Sequence, residues 1–259
     1  MKRYKGILFS LLITLLLTNC KSTNAQEDKV YYENGKLKRI GIYHNGNETG
    51  KWKFYHENGE LSSVGDYKNG NQVGNWRFYN EKGQLDMIIY NTEKDISKRE
   101  LYYENGQLWY VGNTNNGIQI GEWKYYFENG QLRDTPIYDD EGKMTGRCKT
   151  YYINGVLNEV GVYKNDKKIG EWKHYHENGL LASIGKYIDG KETGKWEKYY
   201  ENGQLWHIGN YMKGKASGEW KTYYEGGQLK SIETYKNGMR IGETKNYYEN
   251  GDLIKDIYY

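Results

Sequence analysis

The sequence has one proline, two cysteines and four phenylalanines among its 259 residues. Cys20 lies in an N-terminal segment with the features of an export signal, so Cys148 is left as a single thiol in the mature chain. An intrachain disulfide is therefore excluded. An exported protein without disulfides must be stabilised by noncovalent structure alone.

Aliphatic side chains are also scarce. Apolar residues make up 37% of the chain, and many of them are the 29 tyrosines, which keep a polar hydroxyl. The chain has too few aliphatic side chains to form a deep core. It also has too many aromatic residues for a typical disordered chain. The composition predicts a thin, tyrosine-rich β structure, because aromatic residues favour half-buried pleated surfaces.

The mature chain has no marked excess of charge of either sign. The full sequence carries 37 basic and 34 acidic residues. Removal of Lys2, Arg3 and Lys5 leaves 34 of each, and removal of Lys21 as well gives a net charge of −1. This balance gives no electrostatic argument for nucleic acid as a partner.

The N-terminus has the pattern of a bacterial export signal. A basic start precedes the apolar run Ile7–Leu17, which is too short to span a bilayer in the usual way. The next letters, LTNC, resemble the lipobox of bacterial lipoproteins, in which a lipidated Cys20 becomes the new N-terminus. Asn19 stands where that motif usually has Gly, Ala or Ser, and cleavage after Ala25 is the alternative. We expect an exported envelope protein, either a membrane-anchored lipoprotein or a periplasmic or secreted protein.

A unit of about 24 residues repeats along nearly the whole mature chain. The octapeptide YYENGQLW, found at 102–109 and 199–206, belongs to this series. The ten registers are anchored on a turn glycine: Gly35, Gly59, Gly83, Gly106, Gly130, Gly155, Gly179, Gly203, Gly227 and Gly251. Every register has a tyrosine four residues before the anchor and a leucine two residues after it, like Tyr55 and Leu61. Six registers have tryptophan seven residues before the anchor: Trp52, Trp76, Trp123, Trp172, Trp196 and Trp220.

Each unit predicts a β-hairpin. Asn-Gly between aromatic and aliphatic runs is typical of a type I′ turn, and Asn58–Gly59 is an example. A two-residue loop there places His56 opposite Leu61 and Trp52 opposite Gly65. The indole would then cover strand backbone that has no side chain, and Trp52 and Leu61 would share one face.

A second turn closes each unit, as at 68–70 and 236–238, so a period holds two strands and two turns. We therefore predict an all-β protein of about twenty strands, in which tandem hairpins form an elongated, twisted antiparallel meander.

Two segments depart from the period. Residues 86–100 lack the Gly-x-Trp motif, and residues 134–148 contain Pro136, one extra residue, and Cys148 where Trp is expected. Because proline removes a ladder donor, we predict that its strand is bulged or lies at an edge. Such segments have two interpretations. Either the repeat tolerates sequence changes at these places, or the array bends there and a partner docks on the bend.

The unit G-x-W-x-x-Y-x-x-N-G-x-L-x-x-x-G-x-Y, clear at 50–67 and 194–211, resembles the MORN repeat variant, and in particular YwqK-type antitoxin components. The resemblance extends over 31–259 and weakens in the irregular segments and in the last unit, where Glu233 and Thr244 replace Gly and Trp. It implies an all-β hairpin array without a catalytic centre that associates with proteins or membranes. The antitoxin description implies that such a chain neutralises a toxin protein.

The expected organisation is a signal peptide at 1–19, or 1–25 with the alternative cleavage, a short linker at 20–29, and a repeat array at 30–259. We predict no catalytic residues, no metal site and no cofactor. His56 and His176 replace tyrosines in a strand column, which indicates a packing role. His174 and His176 would place two imidazoles on one face, but a third metal ligand is not evident beside them.

The sequence therefore predicts a non-enzymatic envelope protein that binds a protein partner or has a structural role. The alternatives are an antitoxin or immunity protein, whose partner is a toxin, and a carbohydrate-binding module. Lipidated Cys20 would add a membrane contact. Pairing of open sheet edges, such as the one at 257–259, would allow self-association. Trp109 and Trp206 each follow a column leucine, a feature of these two registers alone, and are the candidate binding residues.

Overall fold

A computed structural model describes residues 25–92 and 95–254. In these ranges the chain forms a single sheet of 21 strands, and no helix there is long and apolar enough to cross a membrane. The strands are β1 (Ala25–Tyr31), β2 (Leu37–His44), β3 (Asn47–Tyr55), β4 (Leu61–Lys68), β5 (Asn71–Tyr79), β6 (Leu85–Asn91), β7 (Ile96–Tyr102), β8 (Leu108–Asn115), β9 (Ile118–Tyr126), β10 (Leu132–Asp134), β11 (Ile137–Tyr138), β12 (Met144–Tyr151), β13 (Leu157–Lys164), β14 (Lys167–Tyr175), β15 (Leu181–Ile188), β16 (Lys191–Tyr199), β17 (Leu205–Met212), β18 (Lys215–Tyr223), β19 (Leu229–Lys236), β20 (Met239–Tyr247) and β21 (Leu253–Ile254).

Consecutive strands pair antiparallel along the whole array, which confirms the predicted meander of tandem hairpins. β10 and β11 are halves of one interrupted strand, since both pair with β9 and with β12. Strand pairing begins at Ala25, five residues before the predicted array boundary. The predicted signal peptide and Cys20 lie outside the described residues.

The hairpin tip at each anchor glycine is a four-residue turn. The Gly59 N–H donates to the His56 carbonyl at 2.9 Å, and the His56 N–H donates to the Glu60 carbonyl at 2.8 Å. Gly59 has a φ of 92°, but Asn58 is not among the residues with positive φ. The type I′ turn predicted for Asn58–Gly59 is therefore wrong, because that turn needs positive φ at both central residues.

A bulge follows the tip and changes the predicted register there. Tyr55, not His56, lies opposite Leu61, and the register shifts between Phe54 and Tyr55. Directly opposed residues share a face of the sheet. Leu61 is therefore on the side of Tyr55, and its predicted position on the face of Trp52 is wrong.

The second turn of the unit has the type I′ geometry. Asn69 and Gly70 have φ of 53° and 79°, and they connect the paired residues Lys68 and Asn71. Positive φ at both central residues recurs at 45–46, 116–117, 165–166, 189–190, 213–214 and 237–238. This turn suits the right-handed twist of the flanking strands.

The predicted pairing of Trp52 with Gly65 is confirmed, but the ring over Gly65 belongs to Trp76 of the next strand. Trp52 covers Gly41 of the preceding strand instead. The register of β4 with β5 shifts at this point, in the segment where Gly74 adopts a φ of 61°. This bulge places the indole over the earlier strand. The same cover occurs at Gly112–Trp123, Gly161–Trp172, Gly185–Trp196 and Gly209–Trp220.

The core is a row of rings on one side of the sheet, which we call the tryptophan face. All six column tryptophans are at most 4% exposed. Tyr187 meets Trp172 and Trp196 edge-on, with centroids 6.1 and 5.2 Å apart. Tyr211 joins Trp196 to Trp220 in the same way. Edge-to-face contacts of this kind are favourable beyond simple burial, so a single-layered sheet gains a core without aliphatic filler.

Neighbouring units are also joined at both rims of the sheet. At the tip rim, the Asn58 amide donates to the Glu81 carbonyl of the next tip at 2.7 Å. Equivalent bonds start from Asn34, Asn105, Asn129, Asn154, Asn178 and Asn202. At the second-turn rim, the Gly190 N–H donates to the Lys168 carbonyl of the preceding unit at 3.0 Å.

The two irregular segments replace the Gly–Trp pair with other residues. In the first, Ile89 pairs with Arg99 and the usual bulge is absent from the pairing of β6 with β7. In the second, Pro136 and Cys148 take the two positions. Pro136 interrupts an interior strand and does not lie at an edge, and its carbonyl accepts the Trp123 N–H at 2.9 Å. The extra residue is accommodated in a longer turn at 139–143.

Candidate binding surface

Trp109 and Trp206 are the extra residues of two tip bulges. The pairing of β7 with β8 skips Trp109, and the pairing of β16 with β17 skips Trp206. Their side chains are 38% and 42% exposed, in contrast to the buried column tryptophans. The structure gives them the same local position but does not bring them together, because they lie four repeats apart on β8 and β17.

Each exposed ring rests on other rings that extend to the core. Trp109 lies 5.6 Å from Tyr103 and 5.5 Å from Tyr110, and Tyr110 in turn lies 5.5 Å from buried Trp123. The Tyr103 hydroxyl donates to the Tyr126 carbonyl of the next repeat at 2.8 Å. Trp109 is thus an exposed ring on a fixed support.

The support of Trp206 has the same form. Its ring lies 5.9 Å from both Tyr200 and His207, and His207 lies 4.7 Å from Trp220. Burial, followed by the charge of Lys198, lowers the pKa of His207. The imidazole therefore stacks as a neutral ring, and its Nδ1 is 2.8 Å from a threonine hydroxyl on β18.

Two other repeats place a lysine at this bulge. The Lys38 ammonium lies 5.3 Å from the Tyr32 ring, and that of Lys230 lies 5.2 Å from the Tyr224 ring. The bulge residue therefore packs on the tyrosine three residues before the anchor, whether it is Lys or Trp. Trp109 and Trp206 therefore expose a flat apolar ring at the position where the repeats of Lys38 and Lys230 expose a positive charge.

The histidines in the tyrosine column have a structural role. His56 Nε2 lies 2.8 Å from the Tyr79 carbonyl, and His176 Nε2 lies 2.9 Å from the Tyr199 carbonyl. The hydroxyl of Tyr152 makes the equivalent bond at 2.8 Å. In this position an imidazole N–H replaces a tyrosine hydroxyl as the donor between repeats.

His174 belongs to a separate cluster on the tryptophan face. Its Nδ1 lies 3.2 Å from Glu159, which also pairs with Lys168 at 3.0 Å. The Lys168 ammonium lies 3.8 Å from the centroid of the Trp172 ring. Burial lowers the pKa of His174 although Glu159 opposes this. In the described part of the chain, no group of three or more His, Cys, Asp or Glu is arranged to hold a metal ion.

Cys148 is buried, with 5% of its surface exposed. Burial, followed by the charges of Asp134 and Glu159, raises the pKa of its thiol to about 11. A thiol in this environment is protonated at neutral pH and is a poor nucleophile.

A charge pattern that was not predicted from the sequence lies on the other side of the sheet, which we call the charged face. There, residues eight and six positions before the anchor form ion pairs within one strand, such as Lys98 with Glu100 at 2.7 Å. Similar pairs are Glu171–Lys173, Lys195–Glu197 and Glu219–Lys221. The alternation of opposite charges two residues apart was the signal in the sequence, since such residues share a strand face.

The chain is a tandem β-hairpin repeat protein. Its hairpins form a single-layered sheet, and hydrogen bonds join neighbouring units at both rims. The chain belongs to the MORN repeat variant family. The family model matches nine segments, at 29–45, 48–69, 98–116, 119–135, 144–165, 168–189, 192–213, 216–237 and 240–259. Its two largest gaps, at 70–97 and 136–143, fall in or next to the irregular segments.

A comparison with functionally curated proteins finds no match. Among solved structures, a mutant of S. aureus TarM in complex with Fondaparinux, alpha-GlcNAc-glycerol and UDP is 13% identical, with 37% of this chain and 19% of that chain covered and a TM-score of 0.28. TcdB2-TccC3 is also 13% identical, with 88% and 15% covered and a TM-score of 0.22. The chain thus spans less than a fifth of either protein, and similarities this low carry no argument about function.

Proposed function

We propose that this protein is a non-enzymatic scaffold of the bacterial cell envelope that binds a protein partner through Trp109 and Trp206. The observation that carries this proposal is the identical placement of the two exposed indoles at the tip bulges of repeats four and eight. Tryptophan is one of the residue types that are enriched at the energetic centre of protein interfaces.

The rings that support the two indoles favour binding. Trp109 and Trp206 rest on tyrosines that are themselves bonded to the next repeat, at 2.8 Å in both cases. A side chain that is already ordered loses little conformational freedom on association. Two equivalent contacts on one rigid array also allow a repetitive or dimeric partner to bind at both sites at once.

The export pattern at the N-terminus supports an envelope location, with Cys20 as the candidate lipid anchor. The membership of the MORN repeat variant family supports a binding or structural role and not an enzymatic one. Mass spectrometry of the mature N-terminus would distinguish a lipidated Cys20 from a chain that begins at Gln26.

Affinity capture from detergent-solubilised envelope fractions would test the partner contact. A double variant with Trp109→Ala and Trp206→Ala should lose the captured protein. The matched control carries Lys38→Ala and Lys230→Ala, which change the same bulge position in other repeats, and it should keep the partner. Equal capture by both variants would exclude the two tryptophans as the contact.

A carbohydrate ligand is the second candidate, because a half-exposed indole is also a stacking surface for a sugar ring. The same pair of variants on a glycan array distinguishes the two cases. A glycan signal that disappears with the tryptophan variant supports the sugar, and no signal for the wild type excludes it. The antitoxin role implied by the family resemblance predicts instead that co-expression rescues cells from a toxin encoded beside the gene.

A further inference from the structure

One position on the charged face differs in the fifth repeat. The residue five positions after the anchor is Ile or Val in registers one to four and six to nine: Ile40, Val64, Ile88, Val111, Val160, Ile184, Ile208 and Ile232. In register five it is Thr135. A β-branched apolar side chain therefore fills this site between adjacent strands in these eight registers, whereas Thr135 offers a hydroxyl.

Thr135 has cationic neighbours on both sides. Its N–H donates to the Lys149 carbonyl on β12 at 2.9 Å, and Lys124 lies on β9 on the other side of the split strand. Arg147 is two residues from Lys149 on the same face of β12. Within residues 25–92 and 95–254, none of these three cations has a carboxylate oxygen within 4.0 Å. The equivalent Lys173 and Lys221 are each paired with a glutamate on their own strand. Glu122 holds the same sequence position relative to Lys124, so Arg147 and Lys149 are the cations without such a neighbour two residues away.

The interruption of the strand at Thr135–Pro136 leaves a cavity here. Its volume is about 290 Å³. This is just below the range for sites of drug-sized ligands, roughly 300–1,000 Å³, so it suits a small group. The charged and hydroxyl-bearing residues of its lining are Glu122, Lys124, Thr135, Arg147, Lys149 and Tyr151, and Trp123 and Ile137 complete it. Three cations and one carboxylate give the lining a net positive charge, although the whole mature chain has almost none.

We propose that this cavity binds a phosphate or sulfate monoester. A planar guanidinium donates two parallel hydrogen bonds to a tetrahedral oxyanion. The two ammonium groups supply further charge from opposite strands. The Thr135 hydroxyl donates to the Lys149 carbonyl at 3.5 Å, a long bond that the hydroxyl would exchange for one to the anion. The site lies on the charged face and shares no residue with the tip bulges of Trp109 and Trp206, so it is independent of the proposed partner contact.

Calorimetric titration of the full chain with inorganic phosphate and with glucose 6-phosphate at low salt tests the proposal. The wild type should bind both, and a double variant with Lys124→Gln and Lys149→Gln should bind at least about tenfold more weakly, the loss expected for one charge-assisted hydrogen bond. The matched control, Lys173→Gln with Lys221→Gln, removes the same charges from paired strands and should bind like the wild type. Thr135→Val keeps the shape and the charges, and it should weaken binding by a smaller factor.

Sedimentation with vesicles that contain phosphatidic acid, whose headgroup is a phosphate monoester, and with vesicles of phosphatidylcholine as a neutral reference, distinguishes a lipid from a soluble source of the phosphate. Selective binding to phosphatidic acid that the Lys124/Lys149 variant loses would assign the site to a headgroup. Three results would overturn the proposal: no binding of either phosphate or vesicle by the wild type, an equal loss in the control variant, or no effect of the Lys124/Lys149 variant. Intact strand pairing, checked by hydrogen exchange in each variant, ensures that a loss is not caused by unfolding.

Discussion

The indole ring of Trp76 covers the backbone of Gly65, eleven residues earlier in the chain, so closely that a Cβ on Gly65 would overlap the ring. Gly65 is not among the residues with positive φ, whereas Gly74, in the bulge before Trp76, has a φ of 61°. The two glycines of the motif are thus required for different reasons. Gly65 provides space, and Gly74 provides a conformation that other residues rarely adopt.

Substitution of a covered glycine should destabilise its own pair of strands. Gly185→Ala places a methyl group against the rigid ring of Trp196, and overpacking of this kind costs about 1–3 kcal/mol. Native-state hydrogen exchange of β15 and β16 should show the loss, because in a repeat array stability is local and a single unfolding midpoint is not well defined.

The control is a double-mutant cycle. In a Trp196→Ala background the ring is gone, so Gly185→Ala should cost much less than it does in the wild type. Equal costs in both backgrounds would contradict steric cover as the reason for this glycine.

The two kinds of tryptophan should respond differently to truncation. Trp172 is fully buried, so Trp172→Ala should cost about 3–5 kcal/mol through the cavity it leaves. Trp206 is 42% exposed, so Trp206→Ala should cost only the ring contacts, about 0.5–1.5 kcal/mol. Hydrogen exchange of the flanking strands measures both. A cost for Trp206 as large as that for Trp172 would show that Trp206 is a core residue and not a free surface.

The imidazole of His56 should be replaceable by a phenol but not by a phenyl ring. His56→Tyr restores the donor used by other repeats, whereas His56→Phe leaves the Tyr79 carbonyl without it and should cost about 0.5–1.5 kcal/mol. Exchange protection at the tips of the second and third repeats is the measurement. The matched control is Tyr152→Phe, which removes the equivalent bond and should produce the same loss.

The cluster around Glu100 should make the first irregular segment sensitive to acid. Burial raises the pKa of Glu100, but hydrogen bonds from Lys98, Tyr90 and Tyr102 outweigh it and hold the pKa below the ordinary 4.5. A group with a depressed folded-state pKa stabilises the fold above its unfolded pKa, and this contribution disappears as the pH falls through the folded value.

In the wild type we therefore expect β6 and β7 to lose hydrogen-exchange protection when the pH is lowered below 4.5. Glu100→Gln should be less protected at neutral pH and should change less with acid, so that the two chains converge. A constant difference at all pH values would mean that the carboxylate charge does not stabilise this segment.

The period of 24 residues was sufficient to predict the fold. Ten copies of Tyr55, Gly59 and Leu61 and their equivalents define alternating hairpins and turns, and the pairing of Trp52 with Gly65 follows from counting outward from the tip. In the regular repeats, local propensity and the repeat pattern both indicate hairpins, which is typical of sequences that specify one structure.

The details that failed depend on bulges. A glycine in a strand is compatible with a flat ladder or with a bulge, and the sequence alone did not show that Gly74 would adopt positive φ and direct Trp76 towards the earlier strand. The tip bulge changed the face of Leu61 for the same reason. The exposure of Trp109 and Trp206 also depends on a bulge, because an unpaired residue is not subject to strict alternation between faces.

The cavity beside Thr135 was missed for another reason. Its position in the fifth repeat was visible as a threonine in a column of Ile and Val, but its significance depends on Lys124 and Lys149 of the adjacent strands. Those contacts follow only when strand order and register are known. A comparison of the column five residues after each anchor would have identified Thr135 as the exception among the first nine registers.

The hydrogen bonds of the hairpin tips are the same in all ten repeats, while the units of 23 and 25 residues differ only on the side of the second turn. The tips are therefore regularly spaced along one rim of the sheet. At the opposite rim the second turns can differ in length from one unit to the next. A segment inserted at a second turn would project from that rim without shifting any tip, any buried tryptophan, or the spacing between Trp109 and Trp206. The molecule can in this way acquire new surface at one rim while the distances along the other remain fixed.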